Sequence, residues 1–499
     1  MDNSTNKKKE VKKLEKITPR SQNKSKWYRD VLRMADLADY SPVRGCMVIK
    51  PYGYRIWELM KEDLDKRIKD LGVENAYFPL FIPFSFLQRE SEHVDGFAPE
   101  TAVVTHGGGK ELEEKLVVRP TSETIIYSMF SKWVESYKDL PLKINQWANV
   151  VRWEKRTVPF IRTSEFLWQE GHCLFDNKDD AKQNVIDALK IYYEFLKEKA
   201  SLYVVAGKKT ESEKFAGAEE TYSVESLMKD GKALQVATSH LLNHSFVKAF
   251  DVEYTDENNE LKTPWASSWG ISTRTIGGVI LAHGDDKGLV LPPGLAPHQI
   301  ILIPIGNRDS ETSQDIGETF GDYVSENVEK VLSEYRVIVD WSDNSPGWKF
   351  AQSEVKGIPI RLELGNREIE NEEISYYIRY SGEKGRIKIS DLHDWVDRKL
   401  KEISVEMYES HKKFTLDNTK KVESYDEFKK VVKDGGYVEV FFDQGNDGKS
   451  ENEIQVDTKA ISRCMPFESV DSAKLKGGVG KCFYSDSDKG VTTLFARSY

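Results

Sequence analysis

Short polar clusters stand at the ends of apolar segments, where a fold can gather them in one cleft. In chain order they are Arg119-Pro-Thr-Ser-Glu123, Arg152-Trp-Glu154, Arg162-Thr163, Trp168-Gln-Glu-Gly-His172, Gln235, Thr238-Ser-His240 and Ser272-Thr-Arg274. A guanidinium group holds two anionic oxygens at once, so these arginines suit phosphate or carboxylate substrates. The segment from Trp168 to His172 crowds polar groups beside aromatic side chains, which indicates a binding cleft more than a packed core.

Structural interpretations of the same residues remain open. Thr121 or Ser122 can cap a helix that begins near Glu123. Arg152 and the acid two residues later lie on one face of a strand, where they can form a surface ion pair of little energy. Taken alone, His240 is more often a satisfied core histidine than a ligand residue.

The elements that must position these clusters are strands with few helices between them. Apolar spacing predicts helices over residues 54–69 and 180–200, and strand-like composition marks residues 147–153, 202–206 and 275–282. An apolar helix is also expected directly after Arg274. Strands outnumber the crossover helices that a parallel sheet requires, so the fold class is α+β with an antiparallel sheet.

A hairpin is predicted around the glycines at 107–109. A phosphate-binding loop is excluded there, because Lys110 is followed by Glu111 and the upstream glycine is missing. The glycines therefore indicate a turn.

A cluster of proline and glycine at residues 288–297 predicts the main domain boundary. Beyond it, strands at 300–305, 337–340 and 358–364 alternate with a helix at 316–335. A long polar helix and linker (395–424) leads to a last module. The predicted organisation is a basic disordered tail (1–24), a catalytic domain (25–297), a small α/β domain (298–400) and a C-terminal domain (401–499).

Composition excludes several protein classes. The chain of 499 residues has 39% hydrophobic residues and a net charge of −10, which argues against indiscriminate nucleic-acid binding. No apolar run is long enough to span a membrane, and no signal peptide opens the chain. Four widely spaced cysteines indicate a reducing compartment, so a cytoplasmic location is expected.

The first residues are an exception to the acidic balance. Residues 2–26 hold nine Lys and Arg against three acids. Such an arm can contact RNA phosphates, although a solvated tail or the trimmed end of a longer protein is the simpler interpretation.

Three clusters resemble motifs 1, 2 and 3 of class II aminoacyl-tRNA synthetases, in the family's order. These are Gly72 with Pro79, Arg152-x-Glu154, and glycine followed by Arg274. The Arg119–Glu123, Trp168–His172 and Thr238–His240 clusters resemble prolyl-tRNA synthetases, and the terminal Ala-Arg-Ser-Tyr resembles their eukaryote/archaeal subgroup. The resemblance runs from about residue 27 to 499. It implies an antiparallel-sheet catalytic domain, an α/β anticodon-binding domain and a small C-terminal α/β domain.

The resemblance also implies a chemistry: L-proline is activated with ATP to prolyl-adenylate, and the prolyl group passes to tRNA(Pro). Arg152 and Arg274 would be catalytic. The implied proline-binding residues are Thr121, Glu123, Arg152, His240, Trp168, Glu170, His172 and Phe97. The implied ATP-binding residues are Arg152, Glu154, Arg162, Thr163, Gln235, Thr238, Ser272 and Arg274, with Gln235 also near Mg²⁺. The implied anticodon-binding candidates are Glu354, Arg361, Glu363 and Arg367.

The sequence departs from the family pattern in three places. Ser272 stands where threonine is expected, which keeps the hydroxyl and loses a methyl group. The positions that hold four zinc-binding cysteines in relatives correspond to Asp443, Gly448, Cys482 and Tyr484, so no zinc is expected. Residues 175–234 leave no room for the editing domain of some bacterial relatives.

Further expectations and rivals follow from the same resemblance. Motif 1 implies a homodimer. A threonyl- or histidyl-tRNA synthetase would carry other specificity motifs. A regulatory protein without activity would be expected to lose the motif 2 or motif 3 arginine, and both are here.

Overall fold

The computed structural model describes residues 16–93, 100–311, 319–445 and 448–499. Its helices are α1 (Lys24–Met34), α2 (Pro51–Asp70), α3 (Phe84–His93), α4 (Glu123–Trp133), α5 (Lys178–Glu198), α6 (Ser245–Ala249), α7 (Arg274–His283), α8 (Phe320–Val324), α9 (Pro346–Val355), α10 (Asn366–Glu370), α11 (Leu392–Asp417), α12 (Tyr425–Asp434) and α13 (Lys449–Thr458). Among these described residues, no helix has the length and apolar character needed to cross a membrane.

The strands of the N-terminal half are β1 (Ala38–Tyr40), β2 (Met47–Ile49), β3 (Glu74–Asn75), β4 (Phe81–Pro83), β5 (Ala102–Gly107), β6 (Lys110–Val118), β7 (Leu142–Val151), β8 (Glu165–Phe175), β9 (Val205–Lys208), β10 (Ala218–Leu227), β11 (Ala233–Leu242), β12 (Tyr254–Thr255), β13 (Leu261–Lys262) and β14 (Trp265–Ser272). Those of the C-terminal half are β15 (Ile300–Ile305), β16 (Val337–Val339), β17 (Ile360–Gly365), β18 (Glu373–Ile378), β19 (Lys384–Lys388), β20 (Thr419–Lys421), β21 (Tyr437–Phe442), β22 (Ile461–Pro466), β23 (Val479–Gly480) and β24 (Gly490–Ala496).

One large sheet organises the catalytic region. Its strands lie in the order β9-β10-β11-β14-β8-β7-β3, and every neighbour pair from β9 to β7 is antiparallel. Only β3 joins β7 in parallel within this part of the sheet. The predicted α+β class with an antiparallel sheet is confirmed.

Helix α5 covers one face of this sheet and closes the core. Asn177 caps it by accepting a hydrogen bond from the Asp180 backbone N–H. The apolar side chains at three- and four-residue spacing, among them Val185, Leu189 and Leu196, are fully buried. Each such buried side chain stabilises the fold by about 1.5–3 kcal/mol. The apolar face of α5 therefore keeps the helix packed on the sheet that carries the polar clusters.

Several local predictions are confirmed and one is wrong. The helix predicted over residues 54–69 is α2, and the predicted hairpin at 107–109 is formed by β5 and β6, turning through two glycines of positive φ. Residues 275–282 form α7, which confirms the apolar helix expected directly after Arg274, whereas the strand-like interpretation of the same residues is wrong. Their apolar residues Ile276, Val279 and Ile280 follow helical spacing, and all are buried.

A second sheet follows, with strand order β16-β15-β17-β18-β19, in which β15 lies parallel to both β16 and β17. The helix predicted from residue 316 begins outside the described residues. Within them it is α8 followed by a π-helical turn, Ser325–Glu329.

The long helix α11 connects the regions. It runs through residue 400, where a boundary was expected, and its apolar residues Trp395, Val396 and Ile403 pack in the core of the second sheet. Farther along, His411 contacts the catalytic region: its Nδ1 accepts from the Tyr203 backbone N–H at 3.0 Å. The ring therefore carries its proton on Nε2, which donates to the Leu227 carbonyl at 2.9 Å.

This contact predicts acid sensitivity. Burial lowers the pKa of His411 to about 4, with the Leu227 hydrogen bond opposing the shift and the charge of Lys229 adding to it. A folded-state pKa below the ordinary 6.5 gives stability that is present above about pH 6.5 and is lost as the pH falls towards 4. We expect His411→Gln, which can keep both hydrogen bonds, to remove a slope of about 1.4 kcal/mol per pH unit from the free energy of unfolding. Denaturant titrations at several pH values measure the free energy of unfolding of both proteins. If the two plots of that free energy against pH were parallel, the prediction would be contradicted.

The C-terminal region continues the catalytic sheet. Its strands lie in the order β20-β21-β24-β22, and β22 pairs with β9 through Met465 opposite Lys208 and Pro466 opposite Gly207. The two regions therefore share one twelve-stranded sheet.

Candidate active site

A cleft of about 280 Å³ opens on the face of the large sheet formed by β8, β14 and β11. The proposed residues that line it are Thr121, Glu123, Arg152, Trp168, Glu170, His172, Gln235, Thr238, His240, Ser272 and Arg274. The fold thus brings together clusters that are as far apart in the chain as Thr121 and Arg274. No single element holds them.

A β-bulge explains how three of these residues reach one face. Gln235 and Thr238 are an odd number of positions apart, which in a regular strand would place them on opposite faces. The pairing of β10 with β11 shifts register between Ala237 and Gln235, which leaves Val236 as the extra residue. The bulge therefore turns Gln235 to the same side as Thr238 and His240.

The packing of the sheet on α5 depends on one glycine. A Cβ atom at Gly171 would lie 2.2 Å from the ring of Trp269 on the neighbouring strand. Any larger residue would therefore displace the indole. The ring of Trp269 is buried on the face of the sheet opposite the cleft, where its Nε1 donates to Asn184 Oδ1 of α5 at 3.2 Å.

Arg152 stands at the end of β7 and is solvent-accessible through the cleft, although protein surrounds it. Its Nε donates to the Pro120 carbonyl at 3.0 Å, and its guanidinium lies 5.5 Å from the Phe166 ring centroid and 5.6 Å from that of Trp168. Desolvation lowers the pKa of Arg152, and the charge of Glu123 opposes this most strongly. The side chain is fixed in place with two of its nitrogens left for a ligand.

Arg274 begins α7 on the other side of the cleft. Its Nε donates to the Ile161 carbonyl at 3.0 Å. Desolvation, followed by the charges of Arg152, Arg463 and Arg162, lowers the pKa of Arg274 to about 10. The group stays charged at neutral pH, so the protein holds repelling cations together, as an anion site requires.

The opposite end of the cleft is acidic. The buried carboxylate of Glu123 accepts a hydrogen bond from the Thr121 hydroxyl. Glu170 accepts from Ser122 Oγ at 2.5 Å and from Gln146 Nε2 at 2.8 Å. Helix α4 begins at Glu123 as expected, but the capping interpretation is wrong: Ser122 makes no side-chain capping hydrogen bond, because its hydroxyl donates to Glu170, and the Thr121 hydroxyl donates to Glu123.

The pKa values of two histidines in the cleft are shifted in opposite directions. Burial disfavours charge on His172, but its hydrogen bond to Glu170 (3.0 Å) and the charges of Glu123 and Glu170 raise the pKa above its ordinary value. Burial, then the charges of His172 and Lys209, lowers the pKa of His240 to about 3. His240 is therefore neutral and contacts Thr221 Oγ1 through Nδ1 at 3.0 Å.

A second depression adjoins the first at Arg152. It holds Glu154 and Arg162, joined by an ion pair of 2.7 Å. Thr163 lies apart from both cavities: it is buried, and its hydroxyl donates to the Glu165 carbonyl at 2.7 Å. Phe97 lies outside the described residues.

The four anticodon candidates lie far from the cleft, on the second sheet and its helices. Arg361 is buried between the rings of Phe350 and Tyr377, at 4.2 and 4.4 Å, and its Nε donates to Glu363 at 2.8 Å. Glu354 lies 3.7 Å from the same guanidinium, whereas Arg367 is exposed on α10.

One hydrogen bond joins two of the four positions that the family resemblance assigned to zinc-binding cysteines. The Asp443 backbone N–H donates to Cys482 Sγ at 3.4 Å, and the Asp443 carboxylate accepts from the Ser487 hydroxyl. Tyr484 donates to Glu453 at 2.7 Å. In the part of the chain that the structure describes, no group of three His, Cys, Asp or Glu is placed to hold a metal.

Family models match three successive parts of the chain. Residues 104–283 match the tRNA synthetase class II core domain (G, H, P, S and T), residues 299–399 an anticodon binding domain, and residues 425–499 the prolyl-tRNA synthetase C-terminal domain.

Curated relatives match over almost the whole length. A proline–tRNA ligase from Chloroherpeton thalassium is 48% identical over 97% of this chain and all of the relative. The chain belongs to the prolyl-tRNA synthetase family. Another member, from Alkaliphilus oremlandii, is 48% identical over 92% of this chain and 94% of its own length. As a member, the chain is a class II aminoacyl-tRNA synthetase, an ATP-dependent ligase that forms prolyl-tRNA.

A solved member of the family has the same fold. The prolyl-tRNA synthetase of Cryptosporidium parvum, complexed with halofuginone and AMPPNP, is 37% identical and superposes with a TM-score of 0.89. The match covers 97% of this chain and 99% of the other.

Sequence reasoning missed several residues that line the cleft. They are Phe166, Lys209, Glu213, Phe215, Thr221, Ser268 and Trp269. Ser268 and Trp269 lie on β14 only a few positions before Ser272 and Arg274, so the sequence around that cluster could have indicated them. A charged loop without a recognisable motif contains Lys209, Glu213 and Phe215. Its sequence gives no indication that these residues line a cleft.

Proposed function

We propose that the chain activates L-proline with ATP in this cleft and transfers the prolyl group to the 3′ end of tRNA(Pro), with Arg152 and Arg274 as catalytic residues. One observation carries the proposal: two guanidinium groups and the buried carboxylate of Glu123 share a single cleft. The cationic side fits phosphate and carboxylate oxygens, and the acidic side fits the ammonium group of an amino acid.

Activation needs no protein nucleophile. The proline carboxylate attacks the α-phosphorus of ATP, the bond to pyrophosphate breaks, and pyrophosphate leaves. Both reactants are anionic, so Arg152 and Arg274 would reduce their repulsion and stabilise the charge that develops on the phosphoryl oxygens. A terminal hydroxyl of the tRNA then attacks the prolyl carbonyl and AMP leaves.

The proline pocket would lie between the acidic turn and the neutral His240. Proline presents a secondary ammonium with two N–H donors. Thr121 and Glu123 would accept the hydrogen bonds from these two groups. Glu170 and His172 hold one another by their hydrogen bond and support that turn through Ser122. We propose Trp168 and Phe97 as further parts of the pocket wall.

ATP would extend from the cleft into the adjoining depression. Glu154 and Arg162 line that depression, and the Gln235, Thr238 and Ser272 side chains face the cleft beside Arg274. Thr163 lines neither cavity and its hydroxyl is engaged, so it would act by holding the neighbouring Arg162 in place. Mg²⁺ would arrive with ATP, and Gln235 offers it an amide oxygen.

The second sheet would bind the anticodon. Arg367 is exposed and free to contact a base or a phosphate, while the buried Arg361 would hold Glu354 and Glu363 in position beside it. We also propose a homodimer, supported by exposed aromatic side chains near motif 1, Tyr77 being 74% exposed. A cytoplasmic location and the eukaryote/archaeal subgroup complete the proposal.

Amino-acid-dependent exchange between pyrophosphate and ATP tests the function. We expect proline to support exchange with a higher kcat/KM than alanine, threonine or histidine. Faster exchange with threonine or histidine would identify another class II synthetase. No exchange with any of them, in protein that binds ATP, would identify a regulatory relative.

Alanine should be misactivated at a measurable rate, because a hydrophobic pocket discriminates by about 1–3 kcal/mol per methylene. The segment between motifs 2 and 3 is filled by α5, β9 and β10, with no inserted domain. We expect purified protein to leave alanyl-tRNA(Pro) as stable as it is in buffer. A deacylation assay measures this, and rapid clearance would contradict it.

Zinc should be absent from the purified protein. One thiolate cannot complete a tetrahedral site, and hydrogen bonds already join Cys482, Asp443 and Ser487. We expect elemental analysis to find far less than one zinc per chain, and a chelator to leave the thermal midpoint unchanged. One stoichiometric zinc would overturn the expectation.

A further inference from the structure

The loop between β9 and β10, residues 209–217, forms a wall of the cleft. Lys209, Glu213 and Phe215 of this loop line the cavity. Phe215 lies nearest to the proposed proline pocket: its ring centroid is 4.7 Å from that of His240, and it stacks on Phe246 at 6.0 Å. The position of the loop therefore sets the position of an aromatic wall.

The backbone of the loop is tied to the same pocket. The Phe215 N–H donates to Thr221 Oγ1 at 2.9 Å, and that hydroxyl is 3.0 Å from Nδ1 of His240. A displacement of the loop would consequently break the Phe215–Thr221 hydrogen bond and move the Phe215 ring away from His240.

Residues of the C-terminal domain hold the loop from its outer side. The buried Glu451, on α13, accepts from Thr210 Oγ1 at 2.9 Å through one oxygen and from the Ser212 hydroxyl through the other. Gln444 accepts from the Glu211 backbone N–H at 2.8 Å. These partners are more than 230 positions apart in sequence.

A buried charge network runs beside these contacts. Arg463, on β22, donates twice to Glu225 Oε2, at 2.9 and 2.7 Å, and Lys209 donates to Glu225 Oε1 at 3.0 Å. All three side chains are buried. The network carries two cations and one carboxylate, so it adds positive charge at the base of the loop.

We propose that Glu451 is a positioning residue of the active site, through which the C-terminal domain holds loop 209–217 and so sets the affinity for proline. The inference rests on the proposed proline pocket. Glu451 does not touch the cleft itself. Its two hydrogen bonds fix the loop that carries Phe215, so their loss would loosen the pocket wall without removing a group that contacts ATP.

Variants on both sides of the contact test the proposal in the full chain. We expect Glu451→Ala to raise the KM for proline roughly tenfold or more in pyrophosphate exchange, as the loss of hydrogen bonds to a charged group implies. The KM for ATP should be unchanged and kcat nearly so. Ser212→Ala, a milder change on the exposed side of the loop, should raise the same KM by a smaller factor. Glu451→Gln, which keeps an acceptor oxygen, should restore most of the affinity.

The double variant and a matched control separate positioning from general damage. Because Ser212 and Glu451 share one contact, Ser212→Ala should add little once Glu451 is alanine. Glu453→Ala removes the same charge from the same helix, but its partner is Tyr484 within the C-terminal domain, so its KM for proline should equal that of the wild type. The proposal would be overturned if Glu451→Ala lowered kcat and raised the KM for ATP as much as it raised the KM for proline. It would also be overturned if the effects of Glu451→Ala and Ser212→Ala were additive. An unchanged KM for proline in Glu451→Ala would overturn it as well, while proline-dependent exchange by the wild type would leave the proposed function intact.

Discussion

Replacing Arg274 by alanine should lower kcat/KM for proline-dependent exchange by roughly 10³-fold or more without lowering the stability of the fold. Removing one group that stabilises transition-state charge typically costs about 10²–10³ in rate, and Arg274 would act on a phosphoryl group in a desolvated cleft. The same residue is held against the charges of Arg152, Arg463 and Arg162, which with burial lower its pKa to about 10. Alanine relieves that repulsion, so the thermal midpoint should stay equal or rise.

The interpretation requires the rate to fall while the thermal midpoint stays equal or rises. A rate loss accompanied by a large fall in the thermal midpoint would show that Arg274 is structural. Arg274→Lys should recover only part of the rate, because an ammonium group lacks the fork that holds two oxygens. Arg398→Ala, which removes an exposed arginine paired with Glu402 at 3.6 Å, serves as the control and should leave the rate unchanged.

Replacing Glu123 by glutamine should raise the KM for proline by about 30-fold to several thousand-fold. The glutamine keeps the size of the side chain and an acceptor for Thr121 but loses the charge that would compensate the proline ammonium. Truncating one partner of a buried charged pair typically costs about 2–5 kcal/mol. The KM for ATP should change little, since the carboxylate lies at the acidic end of the cleft.

A second effect follows from the charge of Glu123 on His172. That charge helps to raise the pKa of His172, so the Glu123→Gln protein should show a lower histidine pKa in the pH profile of kcat/KM. Glu113→Gln, on the exposed face of β6, removes an equal charge from the same strand-turn-helix unit and should alter neither quantity. A rise in the KM for ATP as large as that for proline would contradict the assignment.

The main elements and most of the cleft could be predicted because their signals are local. Apolar spacing predicts α2 and α5, and a glycine run predicts the β5–β6 hairpin. The position of Arg152 and Arg274 at the ends of apolar segments identifies them as candidates for the cleft. Each motif combines polar side chains with a place at the end of an apolar segment, and the fold brings these segment ends into one cleft.

Other features depend on contacts that no local pattern contains. Gln235 faces the cleft only because of a bulge in β11, and Arg463 meets Glu225 across 238 positions of sequence. Residues 275–282 look strand-like because short apolar runs fit a strand or a buried helix equally well. The packing of α7 on neighbouring strands decides between the two.

The pairing of β22 with β9 has a consequence for any shortened form of the protein. Cutting the chain before Thr419 would remove β22 and turn β9 into a free sheet edge. The N–H and C=O groups of β9 that face away from β10 would then be unpaired. Exposed edges recruit other strands, so such a fragment should self-associate. It would also leave the buried carboxylate of Glu225 with half of its cationic partners. Residues 419–499 are thus expected to keep the catalytic region soluble by covering the edge of its sheet.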